Sequence, residues 1–272
     1  MELKNAAGEN LKRLYHYQPF SLDRLKAIAH DKSLYFSNPK DFNDPWDCKP
    51  WWNIKGLANP QIREAHIKWF TKAALAHDQN ANMDDLKQRE ITLRNNPADL
   101  IRLVKKYSSA GGQMINEKYR VFCLSSEPDD ELMWAHYTSK HQGICLEFDT
   151  KNELFSFALK VTYHEDYPVL DLTSTAVEQT LAPFLTKSQA WEYESEYRIV
   201  AREDKIDPPS SFPVTKNNFL KIPDGALTSI IVGCMVEDST ISEIKNVIEQ
   251  STQPIELKYA RQVRDQFKLS IT

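Results

Sequence analysis

Tyr119-Arg-Val-Phe-Cys-Leu-Ser125, then Asp129-Asp-Glu-Leu-Met-Trp-Ala-His-Tyr137, then Gly143-Ile-Cys-Leu-Glu-Phe148 is the stretch on which the fold turns. The first and last runs are rich in aromatic and aliphatic side chains and have strand length. Between them, Asp129 and Asp130 can open a helix carrying Leu132, Met133, Ala135 and His136. Upstream, Leu14-Tyr-His-Tyr17 reads as an aromatic strand. Ser21 can cap a helix with Leu22, Leu25, Ile28 and Ala29 at helical spacing. Ser33–Ser37 is a second strand, and Asp41-Phe-Asn-Asp-Pro-Trp46 suits a tight turn. Downstream, strands are expected at Leu159–Tyr163, Ser195–Ala201, Ser229–Cys234, Pro254–Tyr259 and Phe267–Ile271. Helices are expected near 174–188 and over Ser239–Gln250, where Ile241, Ile244, Val247 and Ile248 share a face.

Residues 55–118 have a different texture. Asn59-Pro60 starts a helix, a second is expected over 82–94, and a third follows Pro97 until the Gly111-Gly112 break. Strands without regular helix alternation predict an α+β protein rather than a doubly wound sheet. The expectation is a single α+β domain over 1–272, with 55–118 a helical insertion or cap within it.

Composition narrows the chemistry. The chain has 272 residues, 38 Asp+Glu against 34 Lys+Arg, and a formal net charge of −4. This near balance gives no general attraction to nucleic acid or membrane surfaces. Only 7 residues are glycine, and neither G-x-G-x-x-G nor G-x-x-x-x-G-K-[ST] occurs, so Rossmann and P-loop modes of nucleotide binding are excluded. No apolar run reaches membrane-spanning length, and the first residues lack a signal peptide's apolar core, which predicts a cytoplasmic protein. Cys48, Cys123, Cys145 and Cys234 show no C-x-x-C spacing and read as free thiols.

The densest chemistry is Trp191-Glu-Tyr-Glu-Ser-Glu-Tyr-Arg198. As an extended strand it would place Glu192, Glu194, Glu196 and Arg198 on one face. Such a face is either a solvated edge or a catalytic carboxylate pair, with Arg198 holding Glu196 ionised. Trp134 and Tyr137 share a helix face, as core aromatics or as the wall of a site. His136 and His141 lack zinc-ligand spacing, and no metal is expected. His16 points away from Tyr15 and Tyr17. No G-x-S-x-G elbow is present.

In order, Leu14-Tyr-His-Tyr17, Leu34-Tyr-Phe-Ser37, Phe42-Asn-Asp-Pro45, Phe122-Cys-Leu-Ser125, Trp134-x-x-Tyr137, Gly143-Ile-Cys-Leu-x-Phe148 and Trp191-x-x-Glu-x-Glu-x-Arg198 resemble a bacterial family catalogued as domain of unknown function 2971. The resemblance runs from about 11 to 235, leaving out the helical segment. His16 stands where relatives often carry Lys, and Asp47 where they often carry Glu. The order is also similar, more remotely, to the ADP-ribosyltransferase fold of the His-Tyr-Glu class, a split β-sandwich. That resemblance implies an NAD-dependent enzyme moving ADP-ribose to a protein or nucleic-acid acceptor, as a toxin or phage-defence effector restrained by an antitoxin or inhibitor. It implies that His16 bonds the adenosine ribose, Tyr137 stacks on nicotinamide, Glu196 binds the nicotinamide ribose and Glu194 orients the acceptor. Tyr17, Ser125, Trp134 and Arg198 would complete the NAD site.

The chemistry is coherent, because breaking the C1′–nicotinamide bond develops positive charge that a fixed carboxylate stabilises. Two alternatives stand beside it. Glu194 and Glu196, about 7 Å apart if on one strand face, would also suit a nucleotide or sugar hydrolase such as an NAD glycohydrolase. A non-enzymatic binding domain would instead leave Glu192, Glu194 and Glu196 in bulk water.

Overall fold

A computed structural model of the chain describes residues 3–167, 169–171, 173, 177–204 and 212–272. Nine strands form its main sheet: β1 (Arg13–Gln18), β2 (Tyr119–Ser125), β3 (Ile144–Asp149), β4 (Leu159–Lys160), β5 (Glu196–Glu203), β6 (Val214–Thr215), β7 (Leu227–Val232), β8 (Glu256–Gln262) and β9 (Leu269–Ile271). Their spatial order is β6-β5-β2-β1-β3-β7-β8-β9, with β4 paired to β5 off this path. Neighbours are antiparallel except β5–β6 and β7–β8. The helices are α1 (Leu22–Ala29), α2 (Pro60–His77), α3 (Met83–Asn95), α4 (Pro97–Lys118), α5 (Glu131–Tyr137), α6 (Glu153–Ser156), α7 (Val177–Leu185) and α8 (Asp238–Glu249). The protein is therefore α+β.

The period of two along the strands sorts the side chains. Leu14, Phe122, Leu124, Leu146, Phe148, Tyr197, Ile199 and Ile230 enter the largest core, which α1 and α8 cover with Leu25, Ile28, Ile244 and Val247. Each such side chain contributes about 1.5–3 kcal/mol when fully buried. On β5 the alternate residues Glu196 and Arg198 face the other way, and both are buried. Helices α2, α3 and α4 close around a cluster of their own, including Ile67, Phe70, Leu93, Leu100 and Val104.

One seam in the sheet matters for the site. β1 pairs along six residues with β3, and β2 along seven with β5, yet β1 meets β2 only at Tyr15↔Ser125. Beyond that pair the strands part, and His16 Nδ1 lies 2.7 Å from the Cys123 carbonyl oxygen across the gap. The two halves of the main sheet are thus joined by a single residue pair, and three two-stranded sheets lie beside it. Gly143 lets the chain close tightly beside the seam. A Cβ there would lie 2.4 Å from the Gln18 carbonyl oxygen and 2.9 Å from Thr138 Cβ.

Several local expectations change. The Gly111-Gly112 break does not occur, and α4 runs through it to Lys118. Two glycines cost about 1 kcal/mol each in a helix; buried Ile115 beyond them anchors the continuation. Leu159–Tyr163 is two strands, β4 and Thr162–His164. Of the helix expected near 174–188, residues 174–176 lie outside the described residues, α7 ends at Leu185, and Thr186–Ser188 is a strand parallel to Thr162–His164. The strand expected at Ser195–Ala201 is β5, whereas Gln189–Glu194, whose alternation would also suit an extended strand, is a 3-10 helix capped by Ser188. β5 begins only at Glu196, after Ser195 turns at φ 44°.

Candidate functional site

Where β1 and β2 part, the C-terminal end of β1, α5, the 41–47 turn and the start of β5 surround a cavity of about 340 Å³. His16, Tyr137 and Glu196 all line it, together with Tyr17, Lys187, Glu194 and Arg198. Chain segments about 180 residues apart in sequence (His16 to Glu196) therefore meet in one cavity, because β1 and β5 flank β2.

At its floor Arg198 is fully buried between two carboxylates. Nη1 and Nη2 donate to Asp47 at 2.7 and 2.6 Å, while Nε and Nη2 donate to Glu196 at 2.7 and 2.8 Å. Nη1 also donates to the Phe184 carbonyl at 2.8 Å, and the guanidinium lies over the Phe42 ring. Two bidentate pairs use the planar fork of arginine in full. They tie the Phe42–Asp47 turn to β5, which gives the Phe-Asn-Asp-Pro and Glu-x-Arg elements a shared physical reason.

Lys187 is the second cation, 7% exposed. Its Nζ donates to Glu194, lies 3.2 Å from Glu196 Oε2 and reaches Asp47 Oδ2 at 3.7 Å. Lys187 is seated by the Thr162–His164 ribbon, in register with Tyr163. The Tyr163 hydroxyl in turn accepts the Glu196 backbone N–H at 2.9 Å. Tyr137, at the end of α5, donates its hydroxyl to Glu194 Oε1 at 2.5 Å.

The cluster holds three carboxylates, Asp47, Glu194 and Glu196, against two cations. Electrostatics follow from that imbalance. Burial and the neighbouring Glu196 charge raise the Glu194 pKa to about 7, despite Lys187 and Tyr137. Burial would also raise Glu196, but Arg198 and Lys187 outweigh it and hold Glu196 down at about 2. For Lys187, burial opposes the charge, and Glu196, Glu194 and Asp47 keep it protonated. Desolvation lowers His16 to about 4, so its ring is neutral at pH 7. Because a carbonyl only accepts, the proton sits on Nδ1 and leaves Nε2 as an acceptor.

The other expected residues divide. Tyr17 lines the cavity, with its hydroxyl donating to the Glu127 carbonyl at 2.6 Å. Ser125 does not reach the cavity: it is fully buried, and its Oγ accepts the Glu127 N–H at 3.0 Å. Trp134 is likewise a core residue, packed edge-on against Tyr17, with Nε1 donating to the Pro128 carbonyl. Neither residue lines the cavity. Glu192 is exposed and outside the cluster, whereas Glu194 and Glu196 are 2% and 3% exposed, which removes the solvated-edge reading for these two. Lys187 and Asp47 were not expected from sequence. The signals for Asp47 were its place beside Phe-Asn-Asp-Pro and its match to a position where the resembled family often carries Glu, and Lys187 had none. A second cavity of about 250 Å³ lies on the far side of these two residues, which line both.

Among the described residues no group of three His, Cys, Asp or Glu side chains is arranged to hold a metal ion. Nor, among them, is any helix long and apolar enough to cross a membrane.

Fold and site together define an α+β protein with a buried carboxylate–lysine–arginine cluster at a cavity in a parted sheet. Residues 133–199 match the family model described as "Protein of unknown function (DUF2971)", which supports that family for this segment. The segment contains Tyr137, Lys187, Glu194, Glu196 and Arg198. No curated protein and no solved structure matches the chain, and nothing matched links it to ADP-ribosyltransferases.

Proposed function

We propose that this chain breaks the bond between ribose C1′ and nicotinamide in NAD and moves the ADP-ribosyl group to a protein or nucleic-acid acceptor. One observation carries the reading: two buried carboxylates share a cavity, and their surroundings push their pKa values to about 7 and about 2. Divergent pKa values in a pair mark separate acid–base and electrostatic roles.

As the C1′–N bond breaks, its electron pair leaves with nicotinamide and the ribose ring becomes cationic. With Glu194 ionised, the cluster holds one more carboxylate than cation. That surplus charge, fixed in a buried site, favours the cationic transition state over the ground state. Glu196 cannot supply it alone, since Arg198 and Lys187 already engage its oxygens. Glu194 is the reactive carboxylate in this account. The acceptor bonds to C1′ and gives its proton to Glu194, whose pKa near 7 suits a general base at neutral pH. Tyr137 holds Glu194 and offers its ring to nicotinamide. His16 accepts a ribose hydroxyl at Nε2. The parted sheet, with His16 on one side of the seam and the glutamates on the other, supports an ADP-ribosyltransferase-like arrangement.

Water could take the acceptor's place at the same base, making the protein an NAD glycohydrolase. Incubation with labelled NAD and cell extract separates the two. Label transferred to a macromolecule supports the transferase, and nicotinamide release without transfer supports the glycohydrolase. If neither occurs, and calorimetry detects no NAD binding, the proposal is wrong.

A further inference from the structure

A small cavity of about 50 Å³ adjoins the main one, and His16, Gln18, Arg24 and Ser37 line both. Its chemistry is the reverse of the cluster's. No Asp or Glu lines it, whereas Arg24, Gln18, Ser33 and Ser37 bring hydrogen-bond donors. Gln18 ends β1 and is 6% exposed, yet its Nε2 has no hydrogen-bond partner. A buried amide N–H without a partner is costly, so one kept at a cavity wall points to an acceptor that comes from outside. Arg24, on α1, makes no ion pair among the described residues. Its guanidinium rests over the Tyr35 ring with the charge close enough to disfavour protonation of His16.

We propose that Gln18 Nε2 and the Arg24 guanidinium form a subsite for a phosphate group of the ligand. A guanidinium and an unpaired amide converging on a space without carboxylates select an anion with several acceptor oxygens. The subsite deepens the NAD reading and rests on it for the ligand's identity. The surplus carboxylate at one end of the combined cavity faces a cationic base, and the donors at the other face phosphate. Nicotinamide dinucleotides carry both groups in that order.

Calorimetry with pyrophosphate and with ADP-ribose tests this on wild type, Arg24→Met and Gln18→Glu. Arg24 is exposed, so Arg24→Met is expected to unfold at the wild-type temperature and serves as the variant safe from folding loss. Both ligands should bind wild type, and each substitution should weaken both by ~10-fold or more, the loss of a charge-assisted hydrogen bond. Gln18→Glu, which keeps the shape and adds negative charge, should weaken them most. If pyrophosphate does not bind wild type, or both ligands bind Arg24→Met as tightly as wild type, the subsite is wrong. Pyrophosphate binding that both substitutions weaken, with ADP-ribose and NAD binding no better than pyrophosphate, would keep the subsite and overturn the NAD reading. NAD binding that neither substitution changes would do the opposite.

Discussion

Replacing Lys187 by Met removes one of two cations from a cluster of three buried carboxylates while keeping an unbranched side chain one atom shorter. At the 3.2 Å separation from Glu196, a unit charge pair is worth about 5 kcal/mol at an effective dielectric near 20. The lost attraction at Glu194 is comparable, equivalent to a rise of about 4 pH units in its titration. Glu194, at about 7 in the wild type, would then stay protonated across the neutral range. Removing one partner of a buried ion pair costs about 3–5 kcal/mol, and proton uptake by Glu194 offsets part of it. A net loss of about 3 kcal/mol corresponds to roughly 6–12 °C in unfolding temperature. The assay is thermal unfolding of wild type and Lys187→Met from pH 5 to pH 9, alongside nicotinamide release over the same range. The deficit should be smallest at pH 5, where protonated Glu194 needs no cation, and grow as pH rises. The alkaline shift should appear in activity as well. A deficit that is constant with pH, or no deficit, would refute the charge-balance reasoning.

Glu194→Gln should behave in the opposite sense. The folded-state pKa of Glu194 lies above the usual carboxyl value of 4.5, so the folded protein binds more protons and loses stability as pH rises from about 4.5 to about 7. The substitution removes that loss: above pH 7 the variant should unfold at or above the wild-type temperature, as measured by scanning calorimetry. Glu196 has the reverse sign; its stabilisation is full above its unfolded-state value and disappears as pH falls through about 2. His16→Leu should weaken NAD binding without adding or removing a pH transition between 5 and 8, because neutral His16 titrates near 4; calorimetric titration across that range checks it. Gly143→Ala should cost about 1–3 kcal/mol in chemical denaturation, since its Cβ meets the Gln18 backbone at the seam.

Periodicity made much of the scaffold legible. Tyr119–Ser125 is a strand over the expected residues, because Val121, Phe122 and Leu124 all find apolar partners on the sheet. Asp130 caps α5 by accepting the Met133 N–H, as its position before the apolar run implied. Alternation misled at Trp191–Glu194, where the period-two pattern of Glu and Tyr also fits a tight 3-10 turn. The site was half legible. Glu194, Glu196, Arg198 and Tyr137 stood in aromatic-rich contexts that set them apart. Lys187 is a single charge amid Thr186, Ser188 and Gln189, and Asp47 is one of several charges between Asp41 and Lys49, so neither stands out in sequence from surface charges. Their meaning comes from Arg198, 151 residues from Asp47, and from a two-strand ribbon that burial patterns do not announce.

Nicotinamide release from NAD by wild type and by Glu194→Gln, both shown folded by their unfolding temperatures, is the measurement closest to the central claim. Wild type should release nicotinamide with an acid limb near pH 7, and Glu194→Gln should fall at least ~100-fold, the usual weight of a positioned acid–base group. Equal release by the two proteins, or none by folded wild type at any pH between 5 and 9, would contradict the account.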